Sequence, residues 1–370
     1  MDSLFRKICE EFALKGEYVG YEIIKSGNIN DTYVIDLKKE DGSEKQYIVQ
    51  RVNTRVFKNP DQIVRNAELV TSHIMRKLKE QRDPELKRKV VHIYRTVRGD
   101  SFYIGENDDR WRVISYVFNS SNFEQTTTKI LASAGEAFGS FQRLLSDFPA
   151  EQLYITIPDF HNTEKRFADL YEVAEKDAFD RKKEVLDELE FLRGSEEYAS
   201  RFRKLHERNL MPYRVTHNDT KCNNVMFDKE TGAPLAVIDL DTVMPGFVGH
   251  DFGDAVRFAA NTADEDEEDL SKVSLDLDKY EAFAHGFIPQ VSDMITRTEL
   301  DNLPDSVMIL TLELAARFLT DYLNGDVYFK CKKPKHNLYR ARCQIALARD
   351  VEKKLPEMRA RLEKFVIVVK

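Results

Sequence analysis

A chain of 370 residues, 42% hydrophobic and 32% charged, has room for one large domain or two of moderate size. Its net charge of -8 argues against a nucleic-acid partner, because neutralising phosphates needs a concentrated basic face. No apolar run approaches the roughly 20 residues of a membrane span. The first residues lack the apolar core of a signal peptide, and Cys9, Cys222, Cys331 and Cys343 are scattered without metal-type spacing. We therefore expect a cytoplasmic protein without zinc, acting as a monomer on small molecules and not on membranes.

In chain order, Leu4, Ile8, Phe12 and Leu14 fall at helical spacing and predict a short amphipathic helix. Residues 21–24 and 32–37 predict two strands around the small-polar turn 26–31. That turn either offers backbone N–H groups to a phosphate or simply closes a hairpin. A third strand is expected over 46–52. Pro60 then opens a helix with Ile63, Ala67, Val70 and Ile74 on one face and Glu68 nearby. Strands are expected over 90–94, 102–104 and, most strongly, 111–118.

After Phe118 the character changes. Residues 119–122, Asn-Ser-Ser-Asn, form a polar break suited to an interdomain hinge, and helix dominates beyond it. Ala134, Phe138, Phe141 and Leu145 make an apolar stripe, with Gly135 and Gly139 permitting close helix approach. Residues 179–210 read as a charged helix burying Val185, Leu189 and Leu192. The segments 254–260, 277–287, 307–323 and 338–365 also read as mostly helical. The expected fold class is α+β: a small antiparallel-sheet domain over 1–118, then a larger, mainly helical domain over 119–370. The acidic run 264–269 is either a docking site for a polycation or, more simply, a helix start opposing the dipole.

The chemistry concentrates in 214–253. Apolar runs at 223–227 and 235–238 flank a Lys-Glu-Thr-Gly turn, which predicts a β-hairpin. The pattern H-x-D-x-x-x-x-N places Asp219 to accept the proton of an attacking hydroxyl and Asn224 to give an amide oxygen to Mg2+. Asp239, closing the second apolar strand, suits a carboxylate metal ligand. Separately, each residue reads as a turn or cap; together and in this order they suit phosphoryl transfer from Mg-ATP. Asp251-Phe252-Gly253 spells a protein-kinase metal motif but follows Pro245-Gly246 and not a strand. We therefore assign the metal to Asp239 and expect Asp251 to brace the catalytic loop.

With these motifs in place, the chain resembles the N-acetylhexosamine 1-kinases of the protein-kinase-like aminoglycoside phosphotransferase and choline kinase superfamily. The resemblance runs through 27–33, 65–72, 214–221, 223–224, 238–246, 251–258, 317–329 and 336–338. It implies a two-lobed kinase-like fold and ATP- and Mg-dependent phosphorylation of the anomeric hydroxyl of N-acetylglucosamine or N-acetylgalactosamine. It further implies Asp219 as base, Asn224 and Asp239 as metal ligands, and Arg317, Tyr328 and Phe258 around the sugar. The nucleotide would meet Asn28, Asn30, Gln50, Glu68, Tyr116 and Phe118. One departure stands out: Gln50 occupies the place of the strand lysine that contacts phosphates in kinases, so either Gln50 serves as a neutral donor or a cation such as Lys221 substitutes. The alternatives are a kinase for choline, an aminoglycoside or another small alcohol, and a sugar and nucleotide sensor without turnover.

Overall fold

In the computed structural model, which describes residues 1–24, 29–123 and 126–365, the chain divides into two compact units. The first comprises Met1–Ser121, Glu151–Ile157 and Val225–Met244, and the second Asn122–Ala150, Pro158–Asn224 and the described residues from Pro245 onward.

Alternation of apolar and polar residues builds the sheet of the first unit. Strands β1 (Glu17–Ile24), β2 (Asp31–Lys38), β3 (Glu44–Arg51), β4 (Tyr103–Ile104) and β5 (Arg110–Ser115) pair antiparallel in the order β1-β2-β3-β5-β4. One face carries Ile35, Leu37, Tyr47, Val49, Trp111 and Val113, which pack on Phe5 and Ile8 of helix α1 (Asp2–Glu11). Phe5 stands 5.0 to 6.1 Å from the rings of Tyr21, Tyr33 and Trp111, which makes an aromatic centre for this layer. The opposite face follows from the two-residue period. Thr32 pairs with Gln50 and Gln50 with Arg112, so three polar side chains line up across β2, β3 and β5. Helix α2 (Pro60–Glu80) begins at Pro60 and buries the expected Ile63, Ala67, Val70 and Ile74.

Three expectations need correction here. Residues 90–94 run alongside β5 through Tyr94 N–H to Val113 and Ser115 N–H to His92, but only Ile93 forms a bridge, so no regular strand results. Strand β5 ends at Ser115, short of Phe118. Part of the polar break is itself extended, since Ser120 and Ser121 pair with Asp228 and Phe227. The predicted hairpin forms from Val225–Asp228 and Pro234–Val237. Its turn closes on Asp228, whose carboxylate accepts the N–H groups of Glu230 and Thr231 at 3.0 and 2.8 Å.

The second unit is helical. Leu303–Leu323 is apolar nearly all round and forms its centre, packed by Thr163–Lys176, Val248–Ala259 and His336–Leu362. Helices Thr128–Leu144 and Leu277–Val291 cross at backbone contact: a Cβ at Gly286 would stand 1.9 Å from the Ala132 carbonyl oxygen, and one at Gly135 2.3 Å from that of Phe283. The charged segment 179–210 is two helices, Leu186–Gly194 and Glu196–Glu207, divided at Ser195. The acidic run starts no α-helix. Asp266 meets His336, Glu268 meets Lys333 and Glu265 meets Arg257, while Asp269 caps a single 3-10 turn. Among the described residues no helix is long and apolar enough to cross a membrane.

Candidate active site

In the second unit, a loop runs from the short strand Arg214–Thr216 to the 3-10 turn Cys222–Asn224 and carries Asp219. Its main chain is held by helix Val248–Ala259. The Asp251 carboxylate, fully buried, accepts N–H from His217 at 3.0 Å and from Asn218 at 2.7 Å, and the Gln142 amide at 2.6 Å. Asp254, one turn on, accepts Thr220 N–H at 3.1 Å. Gly246 lets this loop lie close, since a Cβ there would meet Thr216 Oγ1 at 2.3 Å and Asn218 Oδ1 at 2.9 Å.

The charges follow from this packing. Burial pushes the Asp251 carboxyl above its ordinary range, against the pull of the neighbouring His217 ring and the N–H donors. Burial acts the same way on Asp254, but there the cations Arg257 and Lys221 win and hold the carboxyl low. Arg257 lies 2.8 Å from Asp254. Asp219 itself is a quarter exposed: Lys221 Nζ sits 2.8 Å from one oxygen, and the Asn224 amide nitrogen donates to the other at 3.3 Å and to the Asp219 carbonyl at 2.9 Å. Burial disfavours the Lys221 ammonium, yet Asp219 and Asp254 raise its pKa. Asp219 and Asn224 are thus brought together, as the spacing predicts, and Lys221 is committed to Asp219.

Of the expected sugar residues, Arg317 lies on Leu303–Leu323 with its guanidinium 5.9 Å over Phe160 and 5.7 Å over Phe329. Tyr328 follows that helix in a loop and is 67% exposed. The loop is fixed by Asp321, a carboxylate that accepts N–H from Val327, Tyr328 and Phe329 at 3.0, 2.8 and 2.9 Å. Phe258 is partly exposed near the end of Val248–Ala259.

In the first unit, a polar network spans β2, β3 and β5. Arg112 meets both oxygens of Asp241 at 2.7 and 2.8 Å with both side chains almost wholly buried. It also donates to Gln50 Oε1 at 3.0 and 2.8 Å, while Gln50 donates to Thr32 at 3.1 Å. Asn30 donates to Asp241 at 2.8 Å and accepts Asn53 N–H at 3.0 Å. Glu68 is held in a two-pronged pair by Arg95. Asp239 is exposed and takes a left-handed backbone, φ 59°, before the 3-10 turn Leu240–Thr242. Tyr116 and Phe118 follow β5, with Arg88 5.3 Å over the Phe118 ring. Asn28 lies outside the described residues.

Sequence reasoning passed over Arg112, Asp254 and Asp321. Each lay in plain sight, in the strongest strand, beside the Asp-Phe-Gly run and within 317–329, but nothing local says which partner a buried charge will find.

The likeness to solved structures points the same way as this fold. An aminopropanol kinase associated with a microcompartment matches at a TM-score of 0.57 with 14% identity, covering 98% of this chain and 100% of that one. A choline/ethanolamine kinase family protein from Mesorhizobium loti matches at 0.55 with 13% identity and 99% of both chains. An amicoumacin kinase solved with AMP-PNP and Ca2+ matches at 0.53 with 12% identity, covering 100% and 94%. At such identities the shared property is the fold, a protein-kinase-like α+β architecture with an antiparallel sheet and a helical region. The sequence profile of the phosphotransferase enzyme family spans residues 20–283, well over half of the protein, and on that match the chain belongs to this family.

Proposed function

We propose that the chain transfers the γ-phosphoryl group of Mg-ATP directly to the anomeric hydroxyl of N-acetylglucosamine or N-acetylgalactosamine. The observation that carries this reading is Asp219: a part-open carboxylate on a loop that Asp251 clamps at His217 and Asn218, its side chain steadied by Lys221 and Asn224. As the sugar oxygen bonds to phosphorus, the bridging P–O bond to ADP breaks and the hydroxyl proton passes to Asp219. Asn224 and Asp239 are the metal ligands of this reading. Hard oxygen donors suit Mg2+, and the Asn224 nitrogen is already committed to Asp219, which assigns its Oδ1 the ligand role. Bound there, the ion would neutralise charge on the transferring phosphates.

On the nucleotide side Gln50 serves as a neutral group oriented by Arg112 and Thr32. Asn28, Tyr116 and Phe118 complete that set, and Asn30 and Glu68 contribute by fixing neighbours. On the sugar side Arg317 supplies planar donors, Tyr328 an aromatic face and Phe258 an apolar spot for the acetyl methyl. Arg166 is disfavoured as a cation first by burial and then by Arg317, with Glu313 and Asp169 acting the other way.

A panel of N-acetylglucosamine, N-acetylgalactosamine, glucose, ethanolamine, choline and kanamycin, scored for ADP release and for sugar 1-phosphate, tests this. The expected result is sugar 1-phosphate from the N-acetylhexosamines at least about tenfold above every other acceptor. Turnover confined to the amines would sink the sugar reading, and sugar binding without turnover would make the chain a sensor. Asp219→Asn should lower kcat by about a thousandfold with nearly unchanged sugar binding. Asp239→Ala should abolish Mg-dependent turnover; loss of metal binding in Asp251→Ala instead would move the metal to the Asp-Phe-Gly carboxylate.

A further inference from the structure

His161 precedes helix Thr163–Lys176 and is buried together with Glu313 of Leu303–Leu323, with side chains 7% and 2% exposed. Its Nδ1 lies 2.9 Å from a Glu313 oxygen and its Nε2 2.9 Å from the carbonyl oxygen of Asn218, the residue before Asp219. The other Glu313 oxygen accepts the Thr163 hydroxyl at 3.0 Å. Asn218 has a left-handed backbone, φ 66°, so the direction of its carbonyl sets the turn that presents Asp219. With Glu313 ionised, both partners of the ring are acceptors; a neutral imidazole has one N–H and would point a lone pair at one of these oxygens, whereas protonation of both nitrogens satisfies both contacts.

The surrounding charges agree. Burial alone would strip the His161 proton, but Glu313 outweighs it, with a smaller push from Asp254, and the pKa is raised. Burial likewise opposes the Glu313 charge, which His161 and then Arg317 restore. From Val248–Ala259, the His250 ring lies tilted against that of His161 with centroids 4.8 Å apart, and burial and then the His161 charge keep it neutral. Glu313 lies one turn before Arg317 on the same helix.

We propose that the His161–Glu313 pair is a positioning device that ties the helix bearing Arg317 to the carbonyl of Asn218, and so sets the orientation of Asp219 for proton transfer. The proposal rests on Asp219 being the base. Deprotonation of His161 breaks one of its two hydrogen bonds, so the orientation is kept below its raised pKa and lost as pH rises through it. Glu313→Gln alters this in a specific way. The new amide donates to Nδ1 of a neutral ring, whose Nε2–H still reaches Asn218, and the link no longer depends on a ring charge.

The test measures Mg-ATP turnover against pH, with N-acetylglucosamine as acceptor and with water alone, for the wild type and for His161→Leu, His161→Gln, Glu313→Gln and Asp219→Asn. His161→Leu should lower kcat about 30- to 100-fold, with both KM values moving less than about threefold. His161→Gln, which keeps a donor near the Nε2 position, should recover about tenfold of that loss. Glu313→Gln should keep kcat near neutrality within about threefold and lose the alkaline fall expected of the wild type. A wild-type kcat in His161→Leu, or an alkaline limb unchanged by Glu313→Gln, overturns the proposal while Asp219→Asn is inactive. An active Asp219→Asn instead overturns the base assignment itself.

Discussion

Asp241 in the first unit and Asp251 in the second are both buried carboxylates, and they are satisfied in opposite ways. Asp241 is met by side chains, a two-pronged Arg112 and the Asn30 amide, which link strands of the sheet. Asp251 is met chiefly by main-chain N–H groups of His217 and Asn218. The difference has a chemical meaning. A carboxylate that binds side chains locks those side chains, and the locked network serves as framework. A carboxylate that binds backbone fixes the path of a loop and leaves the loop's own side chains, Asp219 among them, available for chemistry.

The comparison can be broken most forcefully at Arg112. Arg112→Met strands the Asp241 charge, and urea unfolding should show a loss of about 3–5 kcal/mol, largely restored by adding Asp241→Asn. A double variant as unstable as the single one would mean that Asp241 is not the stranded group. Asp251→Asn keeps the shape but offers an amide where N–H donors converge, with an expected loss of about 1–3 kcal/mol. Its kcat should fall more than its stability implies, by about tenfold in protein that remains folded, because the loop loses its anchor. Unchanged kcat would reduce Asp251 to framework, like Asp241. At the small end, Lys333→Ala removes an exposed partner of Glu268 and should shift stability by less than about 1 kcal/mol in a thermal melt.

What the sequence made legible was whatever has a short period or a fixed local spacing. The alternation in β2 and β3, the stripe of α2, the hairpin with its turn and the Asp219–Asn224 pair all depend on neighbours within a few residues. The expectation that Asp251 braces the loop rests on a similarly local sign, its place after Pro245-Gly246 and not after a strand, and its carboxylate does accept the N–H groups of His217 and Asn218. The misses have longer reach. Arg112 finds Asp241 129 positions away, and His161 finds Glu313 152 positions away. A lone arginine in a strand and a histidine before a helix carry no mark of such partners, because only tertiary packing selects them. The acidic run misled for a related reason. Its charges suit a helix start, but individual pairs with His336, Lys333 and Arg257 hold the segment in an irregular path.

The Asp321 carboxylate, which gathers three successive N–H groups of the Val327–Phe329 loop, has a consequence for how such a protein diversifies. One residue of the preceding helix holds the main chain of that loop, while Asp326 and Phe329 add contacts to Arg181 and Phe318. Positions 327 and 328, both largely exposed, can therefore change identity while the main chain stays where it is. On the sugar-side role proposed for Tyr328, selectivity can then drift by side-chain exchange on a preset support, with little new ordering of backbone to offset at each step. A library randomised at Val327 and Tyr328 with Asp321 retained would explore that space without first having to rebuild the loop.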